Sequence, residues 1–206
     1  MRNILFGLAI ALACATSSAT AAIANQLAYS GDGYVAGGKT DTVSSLDGFD
    51  FTVSQSDRHS LSFYINDFAS NPDFQDTQFF MLMLAAPSNT ELQAGLYQGA
   101  TRAPFQGAQE PGLWFAGNGR GSNQITGEFR ILEITFDGDR LASLAVDFVQ
   151  NEENGYLGQT VGSLRYQSMM PLSPVPEASA FTTALIALGG VVTVCRRREQ
   201  RQPIGA

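Results

Sequence analysis

Residues Gly127–Gln150, GEFRILEITFDGDRLASLAVDFVQ, decide the fold class. Glu128 to Phe136 reads as one strand, Asp137-Gly138-Asp139-Arg140 as a turn, and Leu141 to Gln150 as the return strand. Asp-Gly between two apolar runs is a strong hairpin signal, because glycine accepts the positive φ that tight hairpin turns require. On the return strand Leu144, Val146 and Phe148 share a face, with Ser143 and Asp147 opposite. On the outgoing strand the apolar phase slips between Ile131 and Leu132, the signature expected of a bulge. The same grammar extends outward in both directions. Phe49-Asp50-Phe51-Thr52-Val53 alternates, Ser60 to Asn66 places Leu61, Phe63 and Ile65 on one face, and Gly158 to Tyr166 supplies a last strand. Gln78 to Leu84 is a continuous apolar run, read as a central strand buried on both faces, with a helical turn as the competing reading. No stretch between Asn25 and Gln167 keeps a 3.6-residue apolar period. Seven to nine short strands at this spacing predict an all-β fold, a single β-sandwich or jelly-roll-like domain over residues 25–168.

The charge balance narrows the function classes. The chain has 206 residues, a formal charge of −7 and only 15% charged residues, against about 25% in an average soluble domain. Two nearly uncharged ends dilute it. Setting aside Arg2, Glu177, Arg196, Arg197, Arg198, Glu199 and Arg201, the totals of 12 basic and 19 acidic residues become 7 and 17, a balance of −10. No basic footprint for phosphate contact is present, so nucleic acid is not an expected partner. Fourteen phenylalanines argue against a disordered chain.

Most enzymatic chemistries find no support. His59 is the single histidine, and no Gly-x-Ser-x-Gly elbow accompanies it, so a solvent-exposed histidine at a strand start is expected rather than a triad. With one histidine and no cysteine in the body, neither a soft-metal site nor a cysteine nucleophile is expected; the cofactor reading is none. The run Gly117-Asn118-Gly119-Arg120-Gly121 lacks the Lys-Ser/Thr of a phosphate-binding loop and reads as an interstrand loop pinned by Arg120. Asp67, Asp73 and Asp76 form an acidic loop, read as solvated, with Ca²⁺ as the lesser alternative. Carboxylates are numerous enough that a glycosidase pair stays open as the alternative function. Tyr97, Trp114 and Arg120 are the candidate ligand-binding residues, since aromatic rings on a β face grip sugar rings; Trp114 and Phe115 read first as core.

The two ends read as addresses. Met1-Arg2-Asn3, an apolar stretch from Ile4 to Cys14 and Ala22-Ile23-Ala24 predict a secretory signal peptide over 1–24, cut by signal peptidase before Asn25 or after Ala19-Thr20-Ala21. Ala11-Leu12-Ala13-Cys14 offers lipidation as a minor alternative. At the other end a Pro-rich linker over 169–177 carries Val175-Pro176-Glu177. An apolar segment over 178–195 follows, and then a basic tail over 196–206 opening with Arg196, Arg197 and Arg198. This is the pattern of a short transmembrane helix halted by a basic stop-transfer cluster on the cytoplasmic side.

That order of motif, apolar helix and arginine cluster at the C-terminus resembles the PEP-CTERM sorting signal. The resemblance implies an exosortase-like membrane protease as partner, transient anchoring in the inner membrane, and delivery to the cell surface or extracellular matrix. The hosts of such signals are mostly Gram-negative bacteria that make exopolysaccharide, and here Ala178 stands where a second proline is usual. The body itself resembles an exported bacterial β module of unknown function. The shared residues are Ala86-Pro87, Gly95-Leu96-Tyr97, Arg102-Ala103-Pro104-Phe105, Pro111-Gly112-Leu113, Gly119-Arg120-Gly121, Thr126-Gly127-Glu128-Phe129, Asp147-Phe148-Val149-Gln150 and Gly162-Ser163-Leu164-Arg165-Tyr166. That resemblance implies a cysteine pair at two positions occupied here by Ser122 and, approximately, Glu152. The expected function is therefore a non-enzymatic exported protein that binds exopolysaccharide or acts structurally.

Overall fold

The computed structural model describes residues 23–55, 57–73 and 75–173. The signal peptide to residue 22, the sorting motif, the apolar segment 178–195 and the arginine cluster lie outside the described residues. Among those described, no helix is long and apolar enough to cross a membrane.

The hairpin is longer than its sequence boundaries. β8 runs Ile125–Asp137 and β9 Arg140–Glu152. Gly138 opens the turn at φ 57°, the positive value that favours glycine. The register shifts between Ile131 and Glu133, which makes Leu132 the extra residue of the expected bulge; a second shift follows between Thr135 and Phe136. The other strands are β1 Gln26–Gly31, β2 Thr40–Ser44, β3 Asp50–Ser54, β4 Ser60–Asn66, β5 Phe79–Ala85, β6 Gly95–Arg102, β7 Gly112–Gly117 and β10 Gln159–Tyr166. Among the described residues the helical elements are three-residue 3₁₀ turns. The strands exceed the seven to nine expected because β1 and β2 lack a long apolar run, and the glycine-bounded β6 is mostly exposed.

All ten strands join one sheet, in the order β2-β1-β10-β9-β8-β6-β7-β5-β4-β3. Its two edges are consecutive in sequence, and this forces the shape. Laid flat, ten strands would separate β2 from β3 by about 43 Å at the usual interstrand spacing. The link from Ser44 to Asp50 reaches at most about 21 Å. The sheet therefore curls into a half-barrel, which brings its two edges within reach of that link. At that corner Gly48 adopts φ 88°, Leu46 donates its N–H to Ser44 Oγ, and Ser70 Oγ donates to the Gly48 carbonyl.

Curling packs one half of the sheet against the other. The expected alternation holds in β4 and β9: Leu61, Phe63 and Ile65 point inward, as do Leu144, Val146 and Phe148. Rings bridge the halves, with Tyr29 5.2 Å from Phe80 and 5.7 Å from Phe115, Phe115 5.1 Å from Phe148, and Phe63 5.6 Å from Tyr166. β5 differs from expectation. It is central, but Phe80, Leu82 and Leu84 are buried while Phe79, Met81 and Met83 are only half-buried on the outer face.

The halves are seamed weakly by backbone and strongly by one side chain. β6 and β7 pair in parallel through only Thr101–Gly112 and Arg102–Leu113. Beyond that point Gln150, fully buried on β9, accepts from the Phe115 N–H at 2.8 Å and donates to its carbonyl at 2.9 Å. A side-chain amide thus satisfies backbone groups that no neighbouring strand reaches.

Residues 169–173 of the expected linker lie on the outer face of the other half. Arg165, 1% exposed, donates from Nε to the Pro171 carbonyl at 2.9 Å and from Nη2 to Asp147 Oδ1 at 2.9 Å. Ser173 Oγ donates to Asp147 Oδ2, and Ser163 Oγ to Oδ1.

Candidate functional site

The outer face of β4, β5 and β7 is the place where large apolar side chains gather outside the core. Strict alternation puts them there. β7 turns Leu113 and Phe115 inward, so Trp114 and Ala116 turn outward; β4 turns Ser62 and Tyr64 outward in the same way. The register aligns them in rows, Ser62–Met83–Trp114 and Tyr64–Met81–Ala116, with Asn66–Phe79 below. Phe68 stacks on Phe79 at 6.1 Å and 15° between ring planes. Tyr64, Phe79, Met81, Met83 and Trp114 are all half-buried, so the face is a continuous apolar surface rather than a set of scattered residues.

At its upper rim the end of β6 adds a cation, and the segment that follows adds another ring. The Arg102 guanidinium carbon lies 5.1 Å from the Trp114 ring and 5.0 Å from the Phe105 ring. Phe105 is 73% exposed. The Trp114 indole N–H donates to the Ser122 carbonyl at 3.1 Å, which fixes the ring plane. Arg102 Nη1 donates to Asn123 Oδ1 at 3.2 Å. Aromatic faces held rigidly on a sheet can stack against the C–H-rich faces of pyranose rings at little entropic cost.

The three candidate residues engage different partners. Trp114 is half-buried, turned to the outer side of β7 and packed against the margin of the core, so its reading as core holds in part; Phe115, fully buried, is core as expected. Tyr97 faces the interior edge, stacked on Phe129 at 4.5 Å and 9°, and its hydroxyl closes the turn onto the Gln93 N–H and carbonyl. Arg120 sits in the Gly117–Gly121 loop and donates from Nη1 to the Tyr34 carbonyl at 3.2 Å, with its guanidinium 5.6 Å from the Tyr34 ring. It pins this loop to the 31–39 loop, the structural role expected of it. Arg102, Phe105, Tyr64 and the β5 methionines were missed. The phase of alternation from Leu113 and Phe80 could have found the outward residues, but the stacking of Arg102 could not be read from spacing.

The end of the half-barrel near the β8–β9 turn holds the second cluster. Asp57, Arg58, His59, Asn89, Glu91 and Asp139 line a cleft of about 740 Å³. His59 Nδ1 pairs with Asp57 Oδ1, so the imidazole is half-buried and partnered rather than freely solvated. Arg58 lies 3.8 Å from Glu91 and 3.6 Å from Asp139, donates to the Gly138 carbonyl and covers the Phe136 ring at 5.0 Å.

The acidic loop is organised from within. Asp67 is buried, and it accepts from Asn71 Nδ2 at 2.6 Å and from the Gln78 N–H at 2.8 Å, while Asp73 and Asp76 are exposed. Among the described residues no group of three His, Cys, Asp or Glu converges in metal-binding geometry. The segments around Ser122 and Glu152 do meet: the Asn123 N–H donates to Glu153 Oε1 at 2.7 Å. Glu152, fully buried, accepts from the Val35 N–H and the Thr160 hydroxyl.

No protein-family model, curated protein or solved structure matches the chain.

Proposed function

We propose that this chain is an exported, non-enzymatic surface or extracellular-matrix protein whose β body binds exopolysaccharide. The observation that carries the reading is the outer face of β4, β5 and β7, where Tyr64, Phe79, Met81, Met83 and Trp114 form one apolar surface with Phe105 at its rim. The curled sheet serves as a sandwich-like scaffold: its inner faces make the core, which frees an outer face for recognition. The addresses complete the proposal. Signal peptidase removes 1–24, the apolar segment 178–195 holds the protein transiently in the inner membrane, and an exosortase-like membrane protease recognises Val175-Pro176-Glu177 and releases it.

The test is retention of the full chain on insoluble and soluble polysaccharides, with Trp114→Ala and Phe105→Ala compared with wild type. Binding that falls at least tenfold in either variant, with the melting temperature preserved for Phe105→Ala, supports the reading. Failure to bind the exopolysaccharide of a producing host removes it. Intact mass of the exported protein checks the itinerary; a full-length tail persisting beside an active exosortase would refute the sorting proposal.

One observation favours a second reading, a carboxylate-based glycoside hydrolase: Asp57, Glu91 and Asp139 share one cleft with Arg58 and His59. Alanine at each carboxylate should then abolish polysaccharide turnover, and unchanged turnover eliminates it.

A further inference from the structure

Arg102 is held as a cation without a protein counter-ion. Its guanidinium lies over Phe105 and Trp114 at 5.0 and 5.1 Å, and Nη1 donates to a neutral amide, Asn123 Oδ1. Among the described residues no carboxylate lies within ion-pair distance of it, whereas Arg58 and Arg165 both have acidic partners. Of the 7 basic residues of the body, Arg58 and Arg165 are the ones with acidic partners among the described residues; what sets Arg102 apart from the rest is that its guanidinium lies over two rings. Glu110, in the same β6–β7 connection, is turned elsewhere: its Oε2 accepts from the Thr101 hydroxyl at 2.8 Å and the Gly107 N–H at 3.2 Å. A half-buried guanidinium resting on two rings is partly stripped of water, and such a group gains most from a carboxylate that presents two oxygens to its fork.

The geometry points to a carboxylate-bearing polysaccharide, one built from uronic acids, as the ligand class of this face. The inference rests on the polysaccharide-binding reading above and adds to it the charge of the sugar. A uronate unit stacking on the exposed Phe105 ring brings its carboxylate beside Arg102, so apolar contact and ion pairing are made by one residue of the polymer. A neutral sugar makes only the first. The acidic remainder of the body repels polyanions at long range, which restricts attraction to this rim and makes it salt-sensitive.

The experiment is affinity electrophoresis of the full chain through native gels containing polygalacturonate or the same polymer fully methyl-esterified. The two probes share their sugar backbone and differ in charge. Wild type should be retarded at least tenfold more strongly, in apparent dissociation constant, by the free acid, and 0.5 M NaCl should erase most of that difference. Arg102→Gln should bring the ratio close to one; Arg102→Lys, which keeps the charge and loses the planar fork, should leave an intermediate ratio. The salt and esterification arms need no variant, so they stand even where a substitution unfolds the chain. Equal retardation of wild type by both polymers overturns the inference and leaves the parent reading standing. An Arg102→Gln protein that melts normally and keeps the preference also overturns it. Retardation by neither polymer overturns the uronate assignment, and the host-exopolysaccharide retention assay then decides the parent reading separately.

Discussion

Gln150→Leu is the sharpest test of how this half-barrel is closed. Leucine nearly matches the volume of glutamine but removes both hydrogen bonds to the Phe115 backbone, 2.8 Å to its N–H and 2.9 Å from its carbonyl. Gln150 and Phe115 are both fully buried, so water cannot replace the lost partners. Each orphaned backbone group costs about 1–3 kcal/mol, and the added apolar side chain returns about 1 kcal/mol. The net loss should be about 1–5 kcal/mol, or about 2–20 °C in melting temperature for a body near 150 residues. Trp114, the single tryptophan and the neighbour of Phe115, reports the transition by fluorescence during urea and thermal unfolding. Gln98→Leu is the matched control: Gln98 is exposed with only a 3.4 Å contact to Glu128, and it should stay within about 0.5 kcal/mol of wild type. Gln150→Glu adds a signature that packing alone does not produce. Protonated glutamate can donate to the Phe115 carbonyl and ionised glutamate cannot, so this variant should regain stability as pH falls from 8 to 4. A Gln150→Leu protein as stable as wild type would refute the assignment of Gln150 as the seam.

Two further predictions concern ionisable groups. Burial, followed by the nearby Asp41 charge and a hydrogen bond to Asp41, pushes the Tyr29 hydroxyl from 10.0 up to about 12. The folded state then keeps a proton that the unfolded state releases, so stability is intact below about pH 10 and falls by at most about 2–3 kcal/mol on the way to pH 12. Tyr29→Phe should flatten that alkaline slope in urea midpoints measured from pH 8 to 11.5; an unchanged slope assigns it to other groups. Asp147→Asn removes the anion paired with the 1%-exposed Arg165 and should cost about 3 kcal/mol. Hydrogen exchange across 169–173 should accelerate more than exchange in the β8–β9 hairpin, and equal exchange in variant and wild type would show that Asp147 does not hold this segment.

Much of the β character was legible because it is local. Period-two alternation fixes which residues of β4 and β9 share a face, the Asp137-Gly138 dipeptide fixes the turn, and the phase slip at Leu132 marks the bulge. The candidate site was far less legible. Alternation says that Trp114 and Phe115 oppose one another but not which of them faces the core, since that depends on the strands stacked behind β7. Tyr97 and Arg120 looked equally available in sequence; the structure engages one with Phe129 and the other with Tyr34.

What the sequence determined by itself is an acidic β body without cysteine, bounded by its strands and turns, because composition and pleat periodicity are properties of neighbouring residues. Tertiary structure alone decided that β2 and β3 are the opposite edges of one sheet, that Gln150 closes the seam, and that Arg102 rests on Phe105 and Trp114. Each of these joins residues through loop closure and curvature, and a linear pattern carries no record of which distant edges a curled sheet will bring together.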